Sequence, residues 1–289
     1  MIRYVYDGSF EGFLCAASAA LKDAGSPAAR AESMPARPPA CSARERAERL
    51  LRDVTVSALD ADDADLFSEA RMVVTNLEEA ARFGERIRSA AGAEELDAML
   101  FAHASGDPST PRLLFSYAAM TLAAGKALRD DIADPVILAV RRIQDRVSKE
   151  INRLMGFVRF RKVAEGFYYA AVSPDSNVVG FLGPHFSDRF PDMAFLIHDV
   201  SRSLAWRHDP ARGSGVILLP ELPEDLKESL ASESEALIPA LWKEYFRRIA
   251  IPERRNPGLQ MKLMPRRYRK HMTEVEDRVT GREPDAKAR

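Results

Sequence analysis

Residues 134–172 read DPVILAVRRIQDRVSKEINRLMGFVRFRKVAEGFYYAAV, and a change of rhythm inside this stretch decides the fold class. Asp134 before Pro135 is a helix opening, an acceptor side chain followed by a residue whose missing N–H is not needed in a first turn. Ile137, Val140, Ile143, Val147, Ile151 and Leu154 then recur at spacings of three and four, which is one buried helical stripe. Arg141, Arg142, Arg146, Lys149 and Arg153 fall on the other side. At Gly156 the period changes. Phe157 to Arg161 alternates, Phe167 to Val172 is aromatic and apolar, and Glu165-Gly166 between them is a turn signal, so a hairpin is expected.

Toward the N-terminus, Ile2 to Tyr6 reads as a strand. Asp7-Gly8 is a turn, and Ser9 is an N-cap for an apolar helix from Phe10 to about Leu21. Residues 25–44, with Pro35, Pro38 and Pro39, read as a flexible insertion. Val54 to Leu59 is a second strand candidate, with an acidic helix expected from Asp62 or Asp63. Helical pattern holds over about 60–155, including a helix opened by Thr110-Pro111. Toward the C-terminus, Met193 to Ile197, Ser203 to Trp206 and Val216 to Leu219 look like short strands. A long helical stretch begins near Glu224, with Pro239 kinking it or starting a new helix. The expectation is an α+β fold, mostly helical, with a small, largely antiparallel sheet. A single body over 1–274 is favoured: helical over 60–155, mixed sheet over 156–220, basic and helical over 221–274, and a frayed tail over 275–289. The N-terminal strand has room to join the later sheet, and one domain or two stays open.

Of 289 residues, 46% are apolar and 29% charged, enough for a packed core and unlike a disordered chain. No apolar run reaches the ~18 residues of a membrane span, and Met1-Ile2-Arg3-Tyr4 lacks a signal peptide's apolar stretch, so a soluble, cytoplasmic protein without a membrane partner is expected. Two cysteines, Cys15 and Cys41, cannot build a disulfide framework, a four-cysteine zinc site or an iron–sulfur cluster.

The formal net charge of −1 hides a gradient. Residues 45–97 hold 14 acidic and 7 basic side chains, residues 141–162 hold 8 basic and 2 acidic, and residues 241–272 hold 10 basic and 2 acidic. Such asymmetry points to an anionic polymer as partner, DNA or RNA ahead of membrane. Acidic and basic regions packing against each other in one molecule is the alternative explanation. The C-terminal run carries the strongest signal: Arg254, Arg255 and Asn256, then Arg266, Arg267, Tyr268, Lys270 and His271. Guanidinium forks fit phosphate oxygens, a tyrosine ring can stack on a base, and histidine adds a donor. Arg159, Arg161 and Arg189 are further candidate contacts.

Catalytic signals are weaker. His185, His198 and His208 lie within 24 residues among several aspartates, and His198, Asp199 and His185 are the candidates for acid–base work. No spacing matches a zinc motif, so no metal is assigned. Gly213-Ser214-Gly215 lacks a dinucleotide fingerprint, no Lys-Ser or Lys-Thr closes a P-loop, and no cofactor is implied. Cys15 lies on an apolar helix face and reads as packed rather than nucleophilic.

The stretches Tyr6-Asp7-Gly8-Ser9-Phe10-Glu11-Gly12, Met155-Gly156-Phe157-Val158-Arg159-Phe160, Gly183-Pro184-His185-Phe186 with Arg189-Phe190, and Arg254-Arg255-Asn256-Pro257 to His271 together resemble a bacterial family of proposed DNA-metabolism or DNA-repair proteins built around a domain of unknown function. The resemblance spreads over most of residues 1–274. It implies a companion of a radical-SAM DNA-modification or repair protein, related to domains fused to uracil-DNA glycosylases. This chain lacks the three-cysteine radical-SAM motif and any glycosylase motif, so the resemblance implies the companion and not the catalyst. Where similar sequences carry an aromatic residue after the tyrosine of the last motif, this chain has Arg269. The expected function is a nucleic-acid-binding accessory protein in DNA repair or modification. A protein-interaction subunit for the radical-SAM enzyme, or an enzyme acting on nucleic acid, stay open as alternatives.

Overall fold

The structure is a computed structural model and describes residues 2–24, 45, 54–59, 69–131, 133–224, 227–228, 264 and 266–272. The chain divides into two compact units, Met1–Ser148 and Lys149–Arg289. Among the described residues there are eight strands and seven α-helices. The expected insertion at 25–44, the acidic helix from Asp62 or Asp63, most of the stretch after Glu224 and the 275–289 tail lie outside them.

Unit 1 begins with β1 (Ile2–Tyr6), α1 (Phe10–Ala24), β2 (Val54–Ala58) and β3 (Glu69–Met72). The three strands form one sheet in the order β2-β1-β3, and both pairings are parallel, with Tyr4 beside Val56 and Arg71. β1 therefore does not join the later sheet; it is the centre of its own. Parallel neighbours cannot be joined by a tight turn, and the helix α1 lies in the connection between β1 and β2. Ser9 caps α1 as its position suggests: its Oγ accepts the Gly12 N–H at 2.9 Å, while Asp7 Oδ1 accepts the Ser9 N–H at 3.0 Å.

The rest of unit 1 is helical: α2 (Leu77–Ala91), α3 (Ala93–His103), α4 (Thr110–Ala124), a 3₁₀ turn (Gly125–Asp130) and the first part of α5 (Pro135–Phe157). Asn76 Oδ1 caps α2 by accepting the Glu79 N–H at 3.0 Å, and Asp134 Oδ1 caps α5 by accepting the Val136 N–H at 2.7 Å. Phe13, Phe83, Met99, Leu114, Phe115 and Val140 meet in the core beneath the parallel sheet. Cys15 is buried there, its thiol 3.2 Å from the Asn76 carbonyl oxygen, in keeping with a packed role.

Unit 2 carries a five-stranded sheet in the order β4-β5-β6-β7-β8: β4 (Arg161–Ala164), β5 (Phe167–Val172), β6 (Ala194–Asp199), β7 (Leu204–Asp209) and β8 (Gly213–Leu218). β4 and β5 form the expected hairpin, turning at Gly166, whose φ of 71° is a conformation that glycine adopts without strain. The hairpin starts later than its alternating residues suggest, because α5 continues through Phe157. β5 and β6 pair parallel; the other three pairings are antiparallel. The five-stranded sheet is thus mixed and that of unit 1 parallel, so the expectation of a largely antiparallel sheet holds only in part. The physical reason is a helix that sequence reading left out: α6 (Val179–Arg189) lies between β5 and β6 and provides the crossover that a parallel pair requires. α6 packs so closely on β7 that a Cβ on Gly183 would lie 1.9 Å from Cδ2 of Trp206. The last described element is α7 (Arg266–Arg269).

Candidate nucleic-acid interface

α5 shows how one sequence pattern produces two surfaces. Val140, Val147, Ile151 and Leu154 are buried. Arg142, Arg146, Lys149 and Arg153, at spacings of four, three and four, are exposed on its other side. Residues three and four apart on a helix stand about 5–6 Å from one another, so these cations form a stripe along the helix axis. Arg142, Arg146 and Arg153 hold no ion pair among the described residues. Arg141 differs: it turns to Glu95, which is fully buried and also accepts the Tyr117 hydroxyl. Acidic and basic segments thus do pair internally at Arg141 and Glu95, and the charge of Arg146 acts on Asp107.

The C-terminal motif is docked rather than free. Tyr268 is 2% exposed and donates its hydroxyl to Glu150 Oε1 at 2.5 Å. Glu150, itself 4% exposed, also accepts the backbone N–H groups of Asp175 at 2.8 Å and Ser176 at 3.0 Å. Burial pushes the Glu150 carboxyl up. The hydrogen bonds from Tyr268, Asp175 and Ser176 outweigh it and hold the group below the usual carboxylate range. Arg267 lies over the Tyr268 ring, 4.7 Å from its centroid, and pairs with Asp175 at 2.5 Å. In this arrangement the Tyr268 ring is sandwiched within the protein, and no face of it is offered to a base.

Other predicted residues are placed as follows. Lys270 is exposed, Arg269 is buried, and His271 is partly buried with Nε2 2.9 Å from Ser173 Oγ. Burial lowers His271 to about 4, helped by the positive charges of Lys270, Arg161 and His198. Arg161, on β4, is partly exposed and stands beside Tyr169 in the ladder. Arg159 donates to the carbonyls of Gly156 and Val158 at 2.8 and 3.1 Å. Arg189 is exposed, its guanidinium 5.7 Å from the Phe190 ring centroid. Arg254, Arg255 and Asn256 lie outside the described residues, and only the backbone of Arg266 is described.

The histidines are not brought together. His198 pairs with Ala205 across the ladder while His208 pairs with Phe195, which puts their side chains on opposite faces of the sheet. His198 Nδ1 lies 2.9 Å from the Tyr169 hydroxyl, and burial lowers its pKa against the pull of Asp199. Asp199 is fully buried and binds Arg202 at 3.0 Å, and His208 is held by Ser214 and the Pro191 carbonyl oxygen. His185 is exposed on α6, edge-on to Phe186. Among the described residues no three potential metal ligands converge, and no helix is long and apolar enough to cross a membrane.

Sequence reading missed Glu150, Ser173 and Asp175. Glu150 left a trace: it stands three residues after Val147 and four before Leu154, a carboxylate at a stripe position that only a buried partner set can satisfy.

No curated protein matches the chain. The model of the domain of unknown function DUF4130 matches residues 108–274, more than half of the sequence, from α4 through the docked C-terminal motif. The chain therefore belongs to the DUF4130 family of domains of unknown function.

Proposed function

We propose that the protein is a nucleic-acid-binding accessory factor that grips DNA through phosphate contacts and leaves chemistry to a separate catalytic partner. The observation that carries this reading is the stripe Arg142, Arg146, Lys149 and Arg153, exposed along α5 opposite the buried Val140, Val147, Ile151 and Leu154. Cations repeating every helical turn can meet successive backbone phosphates, and such contacts fix position without reading sequence. Arg161, Arg189 and Lys270 add positive charge on unit 2. The setting in DNA repair or modification, and a radical-SAM protein as the partner, come from the family resemblance of the sequence motifs alone.

Fluorescence anisotropy with labelled single- and double-stranded oligonucleotides tests the reading. Phosphate-dominated binding weakens linearly with salt on a log–log plot and hardly depends on sequence. Binding that ignores salt, or no binding at low salt, would end it.

A second reading, a protein-interaction subunit, is favoured by one feature of unit 1. The edge strand β3 and the residues after it expose Met72, Val74 and Leu77 at 63%, 86% and 71%. Large apolar side chains following one another on a surface are a usual mark of protein contacts. Co-purification of the unlabelled partner with wild type, lost in Val74→Glu and Leu77→Glu, would support it.

A further inference from the structure

On the five-stranded sheet of unit 2, side chains at Tyr169, Ala171 and Ser173 share one face by strand alternation. Arg161 stands beside Tyr169 on the edge strand β4, and His198 beside Ala171 on β6. The segment after α7 brings His271 onto this face, within 2.9 Å of the Ser173 hydroxyl. That placement is fixed from behind, because Glu150 clamps Tyr268 three residues earlier. Lys270 is exposed and His271 and Arg161 are partly so, which leaves the group open to solvent on one side.

We propose that Ser173, His271, Lys270 and Arg161 form a binding site for a phosphodiester-class anion at the β4–β5 edge of this sheet. The choice of a phosphodiester rests on the nucleic-acid reading above; the existence of an anion site does not. A hydroxyl, an imidazole, an ammonium and a guanidinium are the donor set that a phosphate oxygen cluster needs. The neighbouring charges that act on the His271 ring are Lys270 from its own segment and Arg161 from β4, both positive, with His198 from β6 adding to them only when it is itself protonated. Tyr169 on β5 and Ser173 just after it contribute hydroxyls; of the carboxylates nearby, Asp199 acts on His198 while bound to Arg202, Asp175 pairs with Arg267, and Glu150 accepts the Tyr268 hydroxyl. Burial and this positive surround hold His271 at about 4, so the ring is neutral near pH 7. An anion seated among these groups reverses the field. His271 then takes up a proton, and binding tightens as the pH falls.

Histidine ring resonances of the full-length protein, titrated over pH 4–7, read this directly. Two probes keep constant charge over that range: the dinucleotide thymidylyl-thymidine, with one phosphodiester, and sulfate. The expected result with the dinucleotide is an upward move of the His271 titration by about two pH units, with binding roughly tenfold tighter at pH 5 than at pH 7. His271→Gln should abolish the pH dependence. Lys270→Gln, a change at an exposed side chain, should weaken binding at both pH values without altering the fold. If sulfate alone moves His271, the phosphodiester assignment falls. If neither probe moves it, or Lys270→Gln binds as wild type does, the site is overturned, whether or not longer DNA binds along α5. If the dinucleotide moves His271 but no oligonucleotide binds the chain, the site stands and the accessory-factor reading falls.

Discussion

Glu150 is a buried carboxylate on a helix whose other stripe residues are apolar, and it accepts three hydrogen bonds, one from Tyr268 of the C-terminal motif and two from the backbone of Asp175 and Ser176. Removing it leaves the two N–H groups and the Tyr268 hydroxyl without their acceptor. Glu150→Ala should cost about 2–4 kcal/mol in urea unfolding, since unsatisfied buried donors retain their full desolvation penalty. Tyr268→Phe loses one bond to a charged acceptor and should cost about 1.5–3 kcal/mol. A Tyr268→Phe variant as stable as wild type would show that the docking is idle.

His103 offers a pH test at the same scale. It sits among Tyr6, Phe10 and Phe13, and burial lowers its pKa to about 4 while Asp7 pulls it upward. In the unfolded chain a histidine titrates near 6.5. Between about pH 6.5 and 4 the unfolded state therefore binds the extra proton. The contribution of His103 is complete above the unfolded pKa and declines as the pH falls toward the folded one. The melting temperature should drop across that window, and His103→Gln should flatten part of the drop. An unchanged slope in the variant would remove His103 from the account.

Among elements, α5 was legible and α6 was not. α5 announces itself through Asp134-Pro135 and an uninterrupted stripe, so both its cap and its buried face follow from local chemistry. α6 contains Gly180, Gly183 and Pro184, residues with poor helix propensity, and its packing depends on tertiary contacts: Gly183 lies against Trp206, whose indole N–H donates to Ser187. Missing α6 hid the crossover between β5 and β6 and made the sheet look more antiparallel than it is. Gly183→Ala tests the packing: its methyl would lie within 2.5 Å of three atoms of the Trp206 indole, so the ring or the helix must shift. A loss of about 1–3 kcal/mol in thermal unfolding is expected. A neutral substitution would mean that α6 does not rest on Trp206.

For the whole molecule, the change of hydrophobic period made an α+β fold legible, but not its division into two units or its second sheet. β3, four exposed residues reading Glu-Ala-Arg-Met, has no alternation to find, and it joins β1 only because the backbone there pairs. The charge gradient was legible as an average. Which cations stay open was not, because that depends on tertiary partners such as Glu95 for Arg141 and Asp175 for Arg267. The DUF4130 match covers α4, α5 and unit 2 to the docked motif, so it includes the basic stripe.

That stripe is the centre of the account, and one comparison tests it. The triple variant Arg142→Gln, Arg146→Gln, Arg153→Gln is set against a control of equal charge change on α2, Arg82→Gln, Arg86→Gln, Arg88→Gln, in salt titrations of oligonucleotide anisotropy. The stripe variant should lose about three from the log–log salt slope and bind more weakly on every sequence, with the control unchanged. Equal losses in both variants, or none in the stripe variant, would contradict DNA binding along α5.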